Sequence, residues 1–120
     1  MTDSAFATDA FIQSQIARWQ RDLGSVRRLA DNTLEAYGRD LGQFLGFLAG
    51  HTGGPVTRHT LEELRAAAIR AFMAVRREES LGSRSLARSL SALKSFFRFL
   101  EREGVVATEA FNVVRAPRQP

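Results

Sequence analysis

The stretch Ser80–Gly104, SLGSRSLARSLSALKSFFRFLEREG, governs how the rest of the chain reads. Leu86, Leu90, Leu93, Phe97 and Leu100 recur every three or four residues, which predicts a helix with one apolar face lying on a core. Arg84, Arg88, Ser91, Ser95, Arg98 and Arg102 recur at the same spacing and predict a second face, cationic and hydroxylated. Ser83 is the expected N-cap, because its hydroxyl can accept from a free amide of the first turn. Gly104 suits the left-handed position that stops many helices. One face is suited to a core, and the other has the chemistry to lie along a phosphate backbone.

Working outward, Thr8 or Asp9 can cap a first helix whose apolar positions are Phe11, Ile12, Ile16, Trp19 and Leu23. Trp19 is expected as a core anchor, Gly24 as the stop, and SVRRLAD as a connection. Asp31 or Asn32 can cap a second helix, with Leu34, Tyr37, Leu41, Phe44, Leu45 and Leu48 on its buried face. Gly38, Gly42 and Gly46 fall four apart on another face of that helix. Each costs about 0.5–1 kcal/mol relative to alanine. Either some backbone approaches closely there, or packing elsewhere tolerates them.

Gly50–Pro55 is a loop by composition, and Thr60 with Glu63 reads as a capping box around Leu61 and Leu64. A third main helix is expected from about Ala67 to Glu79, burying Ile69, Phe72, Met73 and the stem of Arg76. The pattern over 60–79 fits one helix or two with a bend. Ser80-Leu81-Gly82 is then the turn into the opening stretch. No strand alternation and no internal repeat occurs, so the predicted class is all-α, a single bundle of four main helices. Short extra helices at 60–66 and near 109–114 are compatible with it. The predicted domain spans 8–104, with 1–7 as a tail and 105–120, ending in Pro and Arg, as a linker cut short of a further domain.

The 120 residues carry 17 Lys plus Arg against 13 Asp plus Glu, a net charge of +4. Residues 1–80 hold ten cations and ten anions, so the excess falls entirely on 81–120. All cations but Lys94 are Arg, whose planar fork suits phosphate and guanine edges, although a GC-rich genome would give the same bias. No apolar run is long enough to span a membrane, and MTDSAFATDA lacks the pattern of a signal peptide. The chain has no cysteine, hence no disulfide or thiolate metal site, and a cytoplasmic location is expected. His51 and His59 stand eight apart without a carboxylate or thiol at ligand spacing, and read as solvated loop residues. Glu62-Glu63 and Glu78-Glu79 are consecutive on helices and point apart. With no phosphate-binding loop, nucleophile elbow or dinucleotide turn either, the chain reads as a binding module with no catalytic residues, cofactor, metal or small-molecule substrate.

Two motifs carry a resemblance. The first is Asn32-Thr33-Leu34-x-Ala36-Tyr37-x-x-Asp40-Leu41-x-x-Phe44-x-x-Phe47-Leu48. The second is Ser83-x-Ser85-Leu86-Ala87-Arg88-x-Leu90-Ser91-Ala92-Leu93-Lys94-Ser95-Phe96-Phe97-Arg98-Phe99-Leu100, followed by Glu103-Gly104. In this order, and with the tail Val113-x-Arg115-x-Pro117, they resemble the N-terminal core-binding, SAM-like domain of tyrosine recombinases of the Xer type. The resemblance implies a four-helix bundle forming half of a clamp around a recombination site, with its second and fourth helices toward the major groove of double-stranded DNA. It further implies neighbouring recombinase protomers in a synapse, and a role in chromosome dimer resolution. The catalytic Arg, Lys, His and Tyr positions of that family belong to a following domain, and Tyr37, on an apolar helix face, does not match the nucleophile. Mapped by position, Arg84, Ser85, Arg88, Ser91, Lys94 and Ser95 become the DNA face of the fourth helix, with Asn32, Thr33, Arg39 and Gln43 as the contribution of the second. The family usually carries basic residues where Gly38 and Gly42 stand, and Asn-Pro where Thr108-Glu109 stands.

On this reading Arg88→Ala weakens DNA binding and leaves the thermal midpoint nearly unchanged. Three other readings compete. One is a helical protein-interaction module using Phe96 and Phe99, which lie off the main apolar stripe and whose burial discriminates. Another is the core-binding domain of a phage or mobile-element integrase. The third, a helix-turn-helix repressor, fits the long fourth helix poorly.

Overall fold

The computed structural model describes residues 7–79 and 82–115, and these form five helices and no strand. They are α1 (Ala10–Ser25), α2 (Asp31–Thr52), α3 (Arg58–Glu62), α4 (Ala66–Glu78) and α5 (Ser83–Arg102). The four long ones are the predicted bundle. The apolar stripe of α5 is buried along its whole length, and α5 packs most extensively on α2. Trp19 of α1 meets Phe96 of α5 edge to face at 5.4 Å, and Phe44 of α2 meets Phe72 of α4 at 5.2 Å. These T-shaped contacts set the positive ring edge against the negative ring face.

Most helix ends differ from the sequence expectation by a few residues. Asp9 does cap α1, accepting from the Ile12 amide at 2.9 Å. That helix runs through Gly24, however, because the Val26 amide still reaches the Asp22 carbonyl at 2.9 Å. Neither Asp31 nor Asn32 caps α2, whose N-cap is Ala30 without a side-chain bond. Asp31 instead lies in the first turn, where a carboxylate complements the free amides. Gly50, His51 and Thr52 belong to α2, and the left-handed Gly53 (φ 82°) ends it.

The capping box is Thr57 with Thr60, not Thr60 with Glu63: each hydroxyl accepts from the other's amide, at 3.3 and 3.0 Å. A bend then separates α3 from α4. Gly82, not Ser83, occupies the N-cap of α5, while the left-handed Gly104 (φ 72°) follows its C-terminal end as expected. Phe11 is 39% exposed under the Arg58 guanidinium, 5.9 Å from its ring centre. The inward arc of α1 centres on Ile12, Ile16, Trp19 and Leu23, and it admits Gln15 rather than Phe11. Met73 is only half-buried. At Gly38 the close neighbour is the flexible Gln20 amide, 2.8 Å from where a Cβ would stand, and not a backbone.

Residues 105–114 are not a free linker. Val106, Ala110, Phe111 and Val114 pack into the core, with Phe111 4.9 Å from Phe97. The helix expected near 109–114 is a pair of tight turns, closed by Asn112 N–H to Glu109 and Val114 N–H to Phe111. Ala7, placed in the tail by sequence, is 3% exposed, and its carbonyl accepts from Val56. The rest of the expected tail, the Ser80-Leu81 turn and the Pro117–Pro120 terminus lie outside the described residues.

Candidate nucleic-acid interface

A helix repeats its direction every seven residues to within about 20°. Arg84, Ser91 and Arg98 are therefore aligned on α5, all exposed, with half-buried Lys94 between the last two. No carboxylate among the described residues pairs with Arg84, Lys94 or Arg98. Ser85 departs from this row. Seven and eleven residues after it come Ala92 and Phe96, both fully buried, so Ser85 shares their flank, well away from Arg84.

Arg88, expected on the DNA face, carries an ion pair within the protein. Its Nε and Nη2 donate to the two carboxylate oxygens of Asp40 on α2, at 2.8 and 3.1 Å. The Asp40 side chain is 1% exposed and that of Arg88 38%. A hydrogen bond to that carboxylate raises the Arg88 guanidinium above its ordinary value, outweighing desolvation, which acts the other way. Taking Arg88 away strands a buried carboxylate, so a lowered thermal midpoint, not a silent one, is the expectation that this geometry supports. Arg88 locks α5 to α2.

Ser95 is similarly occupied. Its hydroxyl oxygen accepts from the Trp19 indole N–H at 3.1 Å, tying α5 to α1. Arg102 donates to Asp22 at 3.0 Å, and Arg18 of α1 pairs with Glu103. The Arg18 and Arg102 guanidiniums lie 5.6 and 5.5 Å from the Phe99 ring centre. Phe99 is thereby 4% exposed and Phe96 fully buried, so the apolar docking surface of the competing interaction-module reading is absent.

On α2, Asn32, Arg39 and Gln43 are exposed at helical spacing and Thr33 is half-buried. Their neighbour Asp40 turns toward α5. A groove of about 470 Å³ brings together Ser91, Lys94, Ser95 and Arg98 of α5 with Tyr37 of α2 and Arg27 of the α1–α2 turn. It does not include Asn32, Thr33, Arg39, Gln43, Arg84 or Ser85. Sequence reading missed Arg27, which stood in a stretch taken as mere connection. Its adjacent basic pair, Arg27-Arg28, was the available signal.

Among the described residues no helix is long and apolar enough to cross a membrane, and no three His, Cys, Asp or Glu side chains gather to hold a metal ion. His51 lies in the last turn of α2, stacked on Phe47 with ring centres 5.8 Å apart.

Comparison with known proteins gives one family. The profile of the phage integrase N-terminal SAM-like domain matches residues 16–104. A protein named tyrosine recombinase XerC from Bradyrhizobium diazoefficiens is 48% identical over 93% of this chain and 35% of its own length. The proteins of that name from Brucella suis (44% identical, over 99% of this chain and 38% of theirs) and Nitrobacter winogradskyi (50%, over 89% and 33%) are similarly related. The chain thus spans about a third of the length of the curated relatives it matches. No solved structure matches it.

Proposed function

We propose, from the premise that this chain belongs to the phage integrase N-terminal SAM-like domain family, that it is the DNA-binding half of a Xer-type tyrosine recombinase. It lays α5, with the outer face of α2, along one half of a recombination site and so places the catalytic half of the protein at the scissile phosphate. The observation that carries this reading is the row Arg84, Ser91, Lys94 and Arg98, cationic and hydroxylated, with no carboxylate partner among the described residues. Unpaired cations on a rigid helix are the residues that release counterions when they meet phosphates. Phosphate contacts of this kind fix register, and one or two side chains reaching base edges supply sequence preference. Asn32, Thr33, Arg39 and Gln43 supply the second, weaker contribution. Arg88 and Ser95 serve the same face from behind, by holding α5 against α2 and α1. Neighbouring protomers in a synapse and a cytoplasmic setting belong to this reading. Similarity to relatives named XerC favours a chromosomal Xer role over a mobile-element one.

The test is fluorescence anisotropy with a duplex carrying a Xer-type half-site and with a scrambled duplex, across a salt series. The expected result is tighter binding to the half-site, weakening steeply with salt. Non-specific affinity should fall at about 10⁻⁴–10⁻⁶ M near physiological salt. Lys94→Ala should weaken binding to both duplexes and leave the thermal midpoint in place. Absence of binding to either duplex at low salt would remove the reading.

A further inference from the structure

Resting on that reading, we infer that the groove between the α1–α2 turn and α5 seats one backbone phosphate of the DNA, and that Arg27, which no helix-face pattern exposes, is its outer clasp. Leu23 and Leu29 line the groove as apolar residues, while Arg27 comes from the turn and Lys94 and Arg98 from α5. Ser91, Ser95 and Tyr37 complete it. Three cations and three hydroxyl residues line the groove, the Ser95 hydroxyl being bonded to the Trp19 indole, and no carboxylate lines it. Asp22 hydrogen-bonds Arg102 at 3.0 Å and forms only a loose ion pair with Arg27 Nε at 3.9 Å, beyond hydrogen-bond length. Arg27 keeps 56% of its side chain in solvent, so its donors remain available.

The turn holds this arrangement in place by its own bonds. Arg27 N–H reaches the Asp22 carbonyl at 3.1 Å and Leu29 N–H the Leu23 carbonyl at 3.0 Å, with Arg28 between them in the left-handed region (φ 56°). A guanidinium fork on one side with an ammonium and a second guanidinium opposite suits a tetrahedral anion. The DNA backbone is the source of that anion which the α5 cation row already favours. On this assignment the protein grips DNA with the α1–α2 turn as well as with α5.

The experiment compares the wild-type chain with Arg27→Ala, Arg27→Lys and Arg21→Ala by anisotropy on the half-site and scrambled duplexes over a salt series. Arg21 is an exposed cation on the outer side of α1 and controls for the loss of one charge. Arg27→Ala should weaken binding about five- to tenfold at 0.1 M salt, equally on both duplexes, and flatten the slope of log K against log salt by about 0.9. Arg27→Lys should retain most of the slope and Arg21→Ala all of it, with folding of every variant checked by thermal melting. An unchanged slope for Arg27→Ala, or an equal loss for Arg21→Ala, would overturn the groove while leaving the DNA-binding reading intact. A loss confined to the half-site would also overturn it, by making Arg27 a base-reading residue. A wild-type chain that binds neither duplex takes both inferences down together.

Discussion

Two sets of cations share α5 and its surroundings, and they do opposite work. Arg88 and Arg102 face carboxylates of neighbouring helices, Asp40 and Asp22, at hydrogen-bond distance. Arg84, Lys94 and Arg98, interleaved with them on one basic stripe, face none among the described residues. The first set holds helices together, and the second is left to meet an external anion. Residue type and helical phase are nearly the same in both sets. What differs is the residue opposite, supplied by an element tens of positions away in sequence. A basic stripe is therefore not one functional unit. The positions in it that a partner helix neutralises must be subtracted before the remainder is read as a binding face.

Removing Arg88 is the strongest way to break this comparison. Arg88→Ala should cost about 2–3 kcal/mol in urea or thermal unfolding, somewhat below a fully buried pair because the guanidinium is partly wet. Combining Asp40→Leu with Arg88→Met should restore most of that loss, since no charge is then stranded. In the folded protein Arg88→Ala should leave the salt slope of DNA binding unchanged. A flatter slope would return Arg88 to the free set.

Ser95→Ala tests the next interaction. It leaves the buried Trp19 indole N–H without its acceptor and should cost about 1 kcal/mol, with a shift in tryptophan fluorescence that reports on the only tryptophan. Equal stability with unaltered fluorescence would place Ser95 with the DNA-facing hydroxyls instead. Arg102→Ala should have the smallest effect. Its pair with Asp22 is partly exposed on the arginine side and should contribute about 1 kcal/mol or less, falling at high salt. A loss above 2 kcal/mol would show that covering Phe99, and not the ion pair, is what Arg102 contributes.

Much of the fold was legible because helical periodicity is a local signal. Leu86, Leu90, Leu93, Phe97 and Leu100 all sit where their spacing puts them, as do Trp19 and Gly104. Helix starts were less legible. Asp31, Asn32 and Ser83 are good capping residues, yet Ala30 and Gly82 take the caps, because tertiary packing fixes where each chain turns. Capping differences of about 1 kcal/mol yield to such packing. The segment 105–114 looked like a linker because its few apolar residues follow no period. They reach the core through turns, which leave no regular spacing to read.

The candidate site divides along the same line. By itself the amino-acid sequence determined that a helix with one apolar and one basic face ends at Gly104, that it bundles with three other amphipathic helices, and that the excess positive charge lies beyond residue 80. These follow from steric and hydrophobic rules acting over one or two helical turns. Only the tertiary structure decided that Arg88 belongs to Asp40, that Ser95 belongs to Trp19, that Phe96 and Phe99 are covered, and that Arg27 joins Lys94 and Arg98 around one groove. The Arg88–Asp40 and Trp19–Ser95 pairings span 48 and 76 positions of chain, and a cation's availability depends on the charge folding brings to face it.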